Sequence, residues 1–509
     1  MTYIVAPLHH SFEPEVTQVE VATFLQIPGF QIVGLAAREV DEAKERIRAA
    51  ASACGLEIPR RRVVLNLAPA HLPKRGTALD LPMALAVLSE DRPGIDAGPV
   101  AASGELGLDG SIRAVGRLAR TFEAAWSAGA RRLILSAGER PHLEEVGRWF
   151  KDLGERRGRA PRLWFAETLS EAVAALSRPW EEGMDLLEVA SGRGAEILSP
   201  RTLRLSPSLS RLLGAAAAGS HHLLLLGPRG TGKTSATETL AGIWPQPPPE
   251  QQLRNRLLAE LQDPYPELAA TGSGPVRRVG SHASVASLIG NRSPEGWTPG
   301  EFSLAHAGLL LADELPEWHR DAREALREPL QTGRITPTRV GQRRSLPAAF
   351  ALVATGNLCP CGAWPCTVGK NACRCAETER RRYRLKLSGP LLDRLDLVRV
   401  LCGEDAAGAP EIAPLTGLRA QVDRTRERLV GGYGELPGVW SDERYFRELA
   451  SHPTWSGWLA DTQPATLRSA SKTARVAVTL AAWDGLDAPG AGHFMEAACQ
   501  RPERVLADF

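Results

Sequence analysis

Leu223-Leu224-Leu225-Leu226-Gly227-Pro228-Arg229-Gly230-Thr231-Gly232-Lys233-Thr234 is the stretch on which the fold turns. Four consecutive leucines suit a strand buried on both faces of a parallel sheet. Gly227 to Thr234 fits the phosphate-loop pattern at every position, and a helix is expected to begin near Ser235. Glycines let backbone N–H groups turn inward around phosphate oxygens. Lys233 adds a point charge at the β/γ oxygens, and Thr234 offers a hydroxyl to Mg²⁺. The expected nucleotide contacts are Gly227, Pro228, Arg229, Gly230, Thr231, Gly232, Lys233, Thr234 and Ser235, with ATP and Mg²⁺ as cofactors. A chance glycine-rich turn would lack the strand before it and the helix after it.

Three later segments extend this reading. Gly308-Leu309-Leu310-Leu311-Ala312-Asp313-Glu314 is an apolar strand ending in two carboxylates. Asp313 can hold Mg²⁺ together with Thr234, and Glu314 can polarise an attacking water. Taken alone, such a pair is as well explained as a solvated strand end. Phe350 to Asn357 is a second apolar strand, and its terminal amide, Asn357, can sense a γ-phosphate and orient water. Gly389-Pro390-Leu391-Leu392-Asp393-Arg394-Leu395-Asp396 completes the series. From its own residues Arg394 reads as a surface cation facing Asp393 or Asp396.

Composition bounds the rest. The 509 residues hold roughly three domains at about 150 residues each. The hydrophobic share of 43% and charged share of 24% are those of an ordinary globular chain and exclude disordered and collagenous classes. Lys and Arg total 61 against 59 Asp and Glu, so any nucleic-acid binding must come from local patches. No run of about eighteen apolar residues is present to span a membrane, and the first residues lack a signal-peptide profile. The chain is therefore expected to be cytoplasmic. Of eight cysteines, Cys359, Cys361, Cys366, Cys373 and Cys375 crowd one segment. That is a cluster and not a disulfide framework. It suits structural Zn²⁺ or reduced thiols packed in a loop.

Along the chain we expect a multidomain α/β protein: an α/β or α+β domain at 1–178, a linker at 179–205, an ATPase core at 206–402 and a helical region at 403–509. Strands are expected at Val16–Phe24, Gln31–Leu35, Arg62–Leu67 and Arg132–Leu135. Helices are expected at Asp41–Cys54, Leu79–Leu88 and Thr466–Trp483, and a hairpin around Asp109-Gly110.

The four elements of the core, in this order, resemble an AAA+ ATPase of the magnesium-chelatase and MCM side of that superfamily. The resemblance implies that Arg394 is an arginine finger reaching a neighbour's ATP. Ile32-Val33-Gly34-Leu35, Glu45 to Ala50, Val64 to Ala70, Leu79 to Leu85, Pro299 to His306 and Asp313 to Trp318 narrow it to the ComM/YifB family. Best-understood members of that family are hexameric helicases promoting branch migration during natural transformation. The resemblance thus implies a homo-hexamer, DNA as partner and helicase activity. It makes 403–509 a lid of the magnesium-chelatase C-terminal type, with Arg468 as the second sensor, although the aromatic usual two residues later is Ala470. It also implies a pair of Cys-x-Cys elements and a channel hairpin over Thr332–Ser345. Arg334, Arg339, Arg343 and Arg344 would there meet DNA phosphates; a solvated charged loop is the plain alternative. The first domain resembles the Lon protease domain (ribosomal protein S5 domain 2-like). Both positions of a Ser–Lys dyad read as alanine, Ala78 and Ala119, so an inactive domain is expected. The alternative function is an AAA+ protein-remodelling or metal-insertion chaperone of the magnesium-chelatase type.

Overall fold

The computed structural model describes residues 3–507 apart from 10–12, 36, 91–98, 158, 190–204, 267–273, 294–295, 338–344, 366–371 and 402–414. It divides into two compact units. The first comprises 1–193 with 248–268 and 292–299; the second comprises 194–247, 269–291 and 300–509. The segments 248–268 and 292–299 thus pack with the first unit, although in sequence they fall inside the stretch expected to form the ATPase core.

The first unit is built on a seven-stranded mixed sheet. Its strands are β1 (Ile4–Leu8), β2 (Glu15–Phe24), β3 (Gly29–Val33), β4 (Arg62–Ala68), β5 (Val100–Ser103), β6 (Arg132–Ser136) and β7 (Arg162–Ala166), in the order β3-β4-β2-β1-β5-β6-β7. β2 runs antiparallel to β1 and β4; the remaining neighbours are parallel. β3 ends two residues before the expected Leu35, because Leu35 itself takes a left-handed backbone (φ 47) that no strand continues. The helix Asp80–Ser89 is buried from Asp80 to Leu88, as its nearly unbroken apolar run dictates. Its one carboxylate is held by Arg46, whose Nε and Nη2 donate to Asp80 at 2.7 and 2.9 Å. A buried charge requires a partner, and an arginine fork supplies two bonds at once. The inserted helix Pro249–Gln262 joins a second apolar core of this unit, with Leu118, Phe122 and Phe150, through Leu253 and Leu257. Glu260 on it is fully buried and accepts the N–H groups of Ala119 and Arg120 at 3.1 and 2.9 Å, capping the helix Leu118–Ser127. Arg256, also buried, bonds both Glu260 and Glu145.

The second unit carries a five-stranded, all-parallel sheet of β8 (Leu223–Leu226), β9 (Val276–Val279), β10 (Leu309–Ala312), β11 (Ala351–Gly356) and β12 (Leu397–Val400), in the order β9-β10-β11-β8-β12. β8 to β11 and the helices Pro207–Gly219 and Lys233–Ile243 enclose one apolar core with the C-terminal helices Leu415–Tyr433 and Leu467–Trp483. A helical C-terminal region is therefore observed, with 402–414 outside the described residues.

One polar knot lies within this core. Asp396 is wholly buried; it accepts the His222 N–H at 2.8 Å and pairs with Lys472 Nζ at 2.9 Å. His222 Nδ1 accepts the Leu352 N–H at 3.1 Å, and His221 Nε2 meets Thr479 Oγ1 at 2.7 Å. Burial draws the two imidazoles down to about 4 and about 3, so both are neutral at pH 7. Burial alone would raise Asp396, but Lys472 and the histidines hold it well below the usual carboxylate range.

Breaking such a pair strands a buried charge. Asp396→Asn or Lys472→Met alone is expected to cost about 3–5 kcal/mol of unfolding free energy. The double variant Asp396→Asn/Lys472→Met should lose less than the sum of the two, because neither charge is left behind. Equilibrium denaturation decides it; strictly additive losses would mean the two side chains act independently.

Candidate nucleotide-binding site

The site forms where β8, β10 and β11 all end. After Leu226 the chain leaves the sheet through Gly227 (φ +150), where a Cβ would lie 2.6 Å from the Leu401 carbonyl oxygen. No other residue fits that approach. The loop closes on itself through Thr231 Oγ1, which donates to the Pro228 carbonyl at 2.9 Å, and the helix Lys233–Ile243 begins at its end. The structure places Gly230, Thr231, Gly232, Lys233, Thr234 and Ser235 on this turn and the first helical turn, with Thr234 and Ser235 exposed. Uncapped N–H groups at such a terminus favour an anion.

Lys233 reaches back over the loop. Its Nζ donates to the carbonyls of Gly227 and Pro228 at 2.7 Å each and to Asn357 Oδ1 at 3.3 Å. Burial pulls its ammonium pKa down, and the Glu314 carboxylate opposes that. Asn357 itself is only 9% exposed.

Asp313 and Glu314 follow β10 directly. The Glu314 N–H donates to Thr355 Oγ1 at 3.0 Å, and that hydroxyl lies 3.4 Å from Asp313 Oδ1. Trp318 Nε1 donates to the Asp313 carbonyl at 2.9 Å. Glu314 has left-handed backbone (φ 52), so the chain turns sharply where the carboxylates stand. Thr355 was not among the residues singled out from the sequence. Its signal was available: one hydroxyl inside the apolar run Ala351–Gly356, one strand over from the carboxylates.

Arg394 and Arg468 are brought near each other but not into this group. Arg394 donates to the carbonyls of Arg327 and Pro390 at 3.2 and 2.6 Å and to Gln331 Oε1. Burial lowers its pKa, and the charges of Arg468 and Arg327 add to that. Asp396, a possible partner by sequence, is taken by Lys472 instead. Arg468 is exposed on the first turn of the helix Leu467–Trp483.

Of the expected hairpin, the stem is observed: Arg334 pairs with Pro347 and Ile335 with Leu346. Arg334 is exposed and its guanidinium bonds Ser345 at 2.7 and 3.0 Å. Arg339, Arg343 and Arg344 lie outside the described residues, as does Cys366.

Four cysteines converge. The Sγ atoms of Cys359, Cys361, Cys373 and Cys375 all lie within 4.8 Å of one another, with 3.3, 3.6 and 3.7 Å separations among the first three. A tetrahedron with Zn–S bonds of about 2.3 Å has edges of about 3.8 Å, so the donor set fits one tetrahedral thiolate-bound metal.

Comparison with known proteins agrees with this geometry. Residues 206–405 match the family model "Magnesium chelatase, subunit ChlI", and residues 19–139 match "Subunit ChlI of Mg-chelatase". The site and fold are thus of the magnesium-chelatase-like AAA+ class, a class of ATPases. The chain is 32% identical over 508 residues to the uncharacterised protein YifB of Escherichia coli (strain K12), covering 97% of this chain and 95% of that one. It is 33% identical over 380 residues to the competence protein ComM of Haemophilus influenzae, covering 73% and 70%. An uncharacterised Mycobacterium tuberculosis protein, Rv2897c, is 31% identical over 506 residues, covering 94% and 93%. The chain belongs to the ComM/YifB family. Among the described residues no helix is long and apolar enough to cross a membrane.

The backbone at Glu314 yields a test. A left-handed conformation costs a residue with a Cβ about 1–2 kcal/mol, and glycine gives back part of that relief through its freer unfolded chain. Glu314→Gly is therefore expected to raise unfolding free energy by about 1 kcal/mol. A loss of stability, measured by denaturant titration, would mean the carboxylate and not the backbone sustains this turn.

Proposed function

We propose that this chain is a Mg²⁺-dependent, ATP-hydrolysing AAA+ motor acting on DNA as a homo-hexamer, a helicase promoting branch migration in natural transformation and recombination. The observation that carries it is the convergence of Lys233, Asn357, Asp313 and Glu314 at the ends of neighbouring parallel strands. In this reading the turn Gly227–Gly232, with Ser235, cradles the phosphates, and Lys233 neutralises the β/γ oxygens. Thr234 and Asp313 hold Mg²⁺, which offsets charge on the phosphates. Glu314 polarises the attacking water while Asn357 orients it against the γ-phosphate. Arg394 acts on the neighbouring subunit's ATP and Arg468 closes from the lid.

The remaining parts follow the same reading. Residues 1–178 form a Lon-protease-like, catalytically inactive domain: Ala78 and Ala119 are buried and offer neither hydroxyl nor amine. Residues 179–205 link it to the core at 206–402, and 403–509 form the lid. Cys359, Cys361, Cys373 and Cys375 hold a structural Zn²⁺. Arg334, with Arg339, Arg343 and Arg344, contacts DNA. The protein acts in the cytoplasm. The similarity to a competence protein supports a DNA substrate.

Both family-model matches are to a magnesium-chelatase subunit, and this favours one second reading: a remodelling or metal-insertion chaperone. ATP turnover measured alone, with single-stranded or branched DNA, and with a protein client separates the two. Stimulation by DNA, weakened in Arg334→Ala, is expected. Stimulation by the protein client and not by DNA would replace the first reading with the second.

The shared site is tested by mixing. Arg394→Ala should leave ATP binding nearly intact and lower turnover by about 10³-fold. Mixed with Lys233→Ala under conditions of proven subunit exchange, it should regain activity. At mixed boundaries an intact phosphate loop meets an intact arginine. No regain would sink the trans role of Arg394.

A further inference from the structure

The cysteine segment touches the phosphate loop. The Arg229 N–H donates to the Gly362 carbonyl at 2.9 Å, a backbone bond from the nucleotide turn to the residue that ends the first Cys-x-Cys turn. Gly362 is left-handed (φ +74), and a Cβ there would lie 2.9 Å from Arg229 Nε, so the Arg229 side chain lies directly against it. That turn is closed by Gly362 N–H to the Cys359 carbonyl at 3.1 Å and by Trp364 N–H to Cys359 Sγ at 3.3 Å. On its other side it begins two residues after Asn357: only Leu358, buried, stands between Asn357 and the buried Cys359.

The second pair is anchored in the same region. Arg380 lies over the Trp364 ring at 3.9 Å, and Cys373 Sγ lies 3.6 Å from Cys361 Sγ. Its helix, Glu377–Arg384, is followed by Lys386, which pairs with Glu317 at 3.0 Å, just beyond Glu314. Between Asn357 and Glu377 the described residues include no helix or strand. Among the described residues Gly362 is therefore held by its own turn and by Arg229, next to the four converging sulfurs. A metal joining Cys359 and Cys361 to Cys373 and Cys375 would close this loop and remove its conformational freedom.

We infer that the four-cysteine metal site is a working part of the nucleotide site: the bound metal fixes Gly362 and Leu358, and through them sets the course of the phosphate loop at Arg229 and the position of the Asn357 side chain. This rests on the ATP-binding reading above. Zinc would serve here as a positioning element of the phosphate loop. Global folding of the second unit rests on the apolar core and the Asp396 pair.

The test uses the full chain and three readouts: zinc content, affinity for a fluorescent ATP analogue, and far-ultraviolet circular dichroism. One zinc per chain is expected. Its removal with a chelator should weaken the analogue by about fivefold to tenfold, the worth of one or two backbone hydrogen bonds. The circular dichroism should stay unchanged, and added zinc should restore affinity. Gly362→Ala, which keeps every thiol, should retain zinc yet weaken the analogue by a similar factor. Absence of zinc, unchanged affinity after its removal, unfolding on chelation, or wild-type affinity in Gly362→Ala would each overturn the inference. Failure of the zinc-loaded wild type to bind the analogue at all would instead overturn the ATP-binding reading beneath it.

Discussion

The buried carboxylate of Asp396 is the constraint from which the second unit takes its geometry. An ionised group without solvent must find every partner inside the protein. Here the partners are His222, just before β8, and Lys472 on the helix Leu467–Trp483. Arg394 stands two residues before Asp396, and Arg468 one helical turn before Lys472. One interaction therefore fixes the two arginines beside each other, and aligns both with the strand that delivers the phosphate loop. Arg501 strengthens the joint by donating to the carbonyls of Leu395 and Asp396 at 2.5 and 3.1 Å.

At the opposite ends of the same strands the requirements reverse. Backbone and carboxylate groups there are held by single hydroxyl, amide and indole contacts: Thr355 beneath Asp313 and Glu314, Trp318 on the Asp313 carbonyl, Asn357 against Lys233. These are modest bonds, each worth roughly 1 kcal/mol net. A strong knot at one end of a sheet and adjustable contacts at the other suit a site that must accept and release a charged ligand without disturbing its scaffold.

What the sequence disclosed follows the range of the interactions involved. The phosphate loop, the Asp313-Glu314 pair and Asn357 were legible because each is a contiguous run whose chemistry needs neighbouring residues. The helix Asp80–Ser89 and strand β4 were legible from apolar periodicity. Strands β1, β5 and β7 were not, since their short apolar runs resemble buried helix as readily as strand. Nor were the contacts of long reach: Thr355 under Glu314, Gly362 against Arg229, Lys472 on Asp396, and Glu260 at the start of the helix Leu118–Ser127. The cysteine cluster was legible by count, but count alone did not say which thiols converge: Cys359, Cys361, Cys373 and Cys375 do.

The helix Pro249–Gln262 follows directly on the helix that the phosphate loop begins, yet its core partners lie in the first unit, and the chain passes between the units after 193, 247, 268, 291 and 299. The two units are consequently one heritable piece. A gene spliced at residue 205 would transplant a first unit whose 118–127 helix has lost the Glu260 carboxylate, exposing Leu253's partners to water. A cut after residue 193 would leave 1–193 held to the rest only by its packing with 248–268 and 292–299. Recombination between relatives can therefore exchange loops of this protein, but it cannot trade its first unit as a cassette.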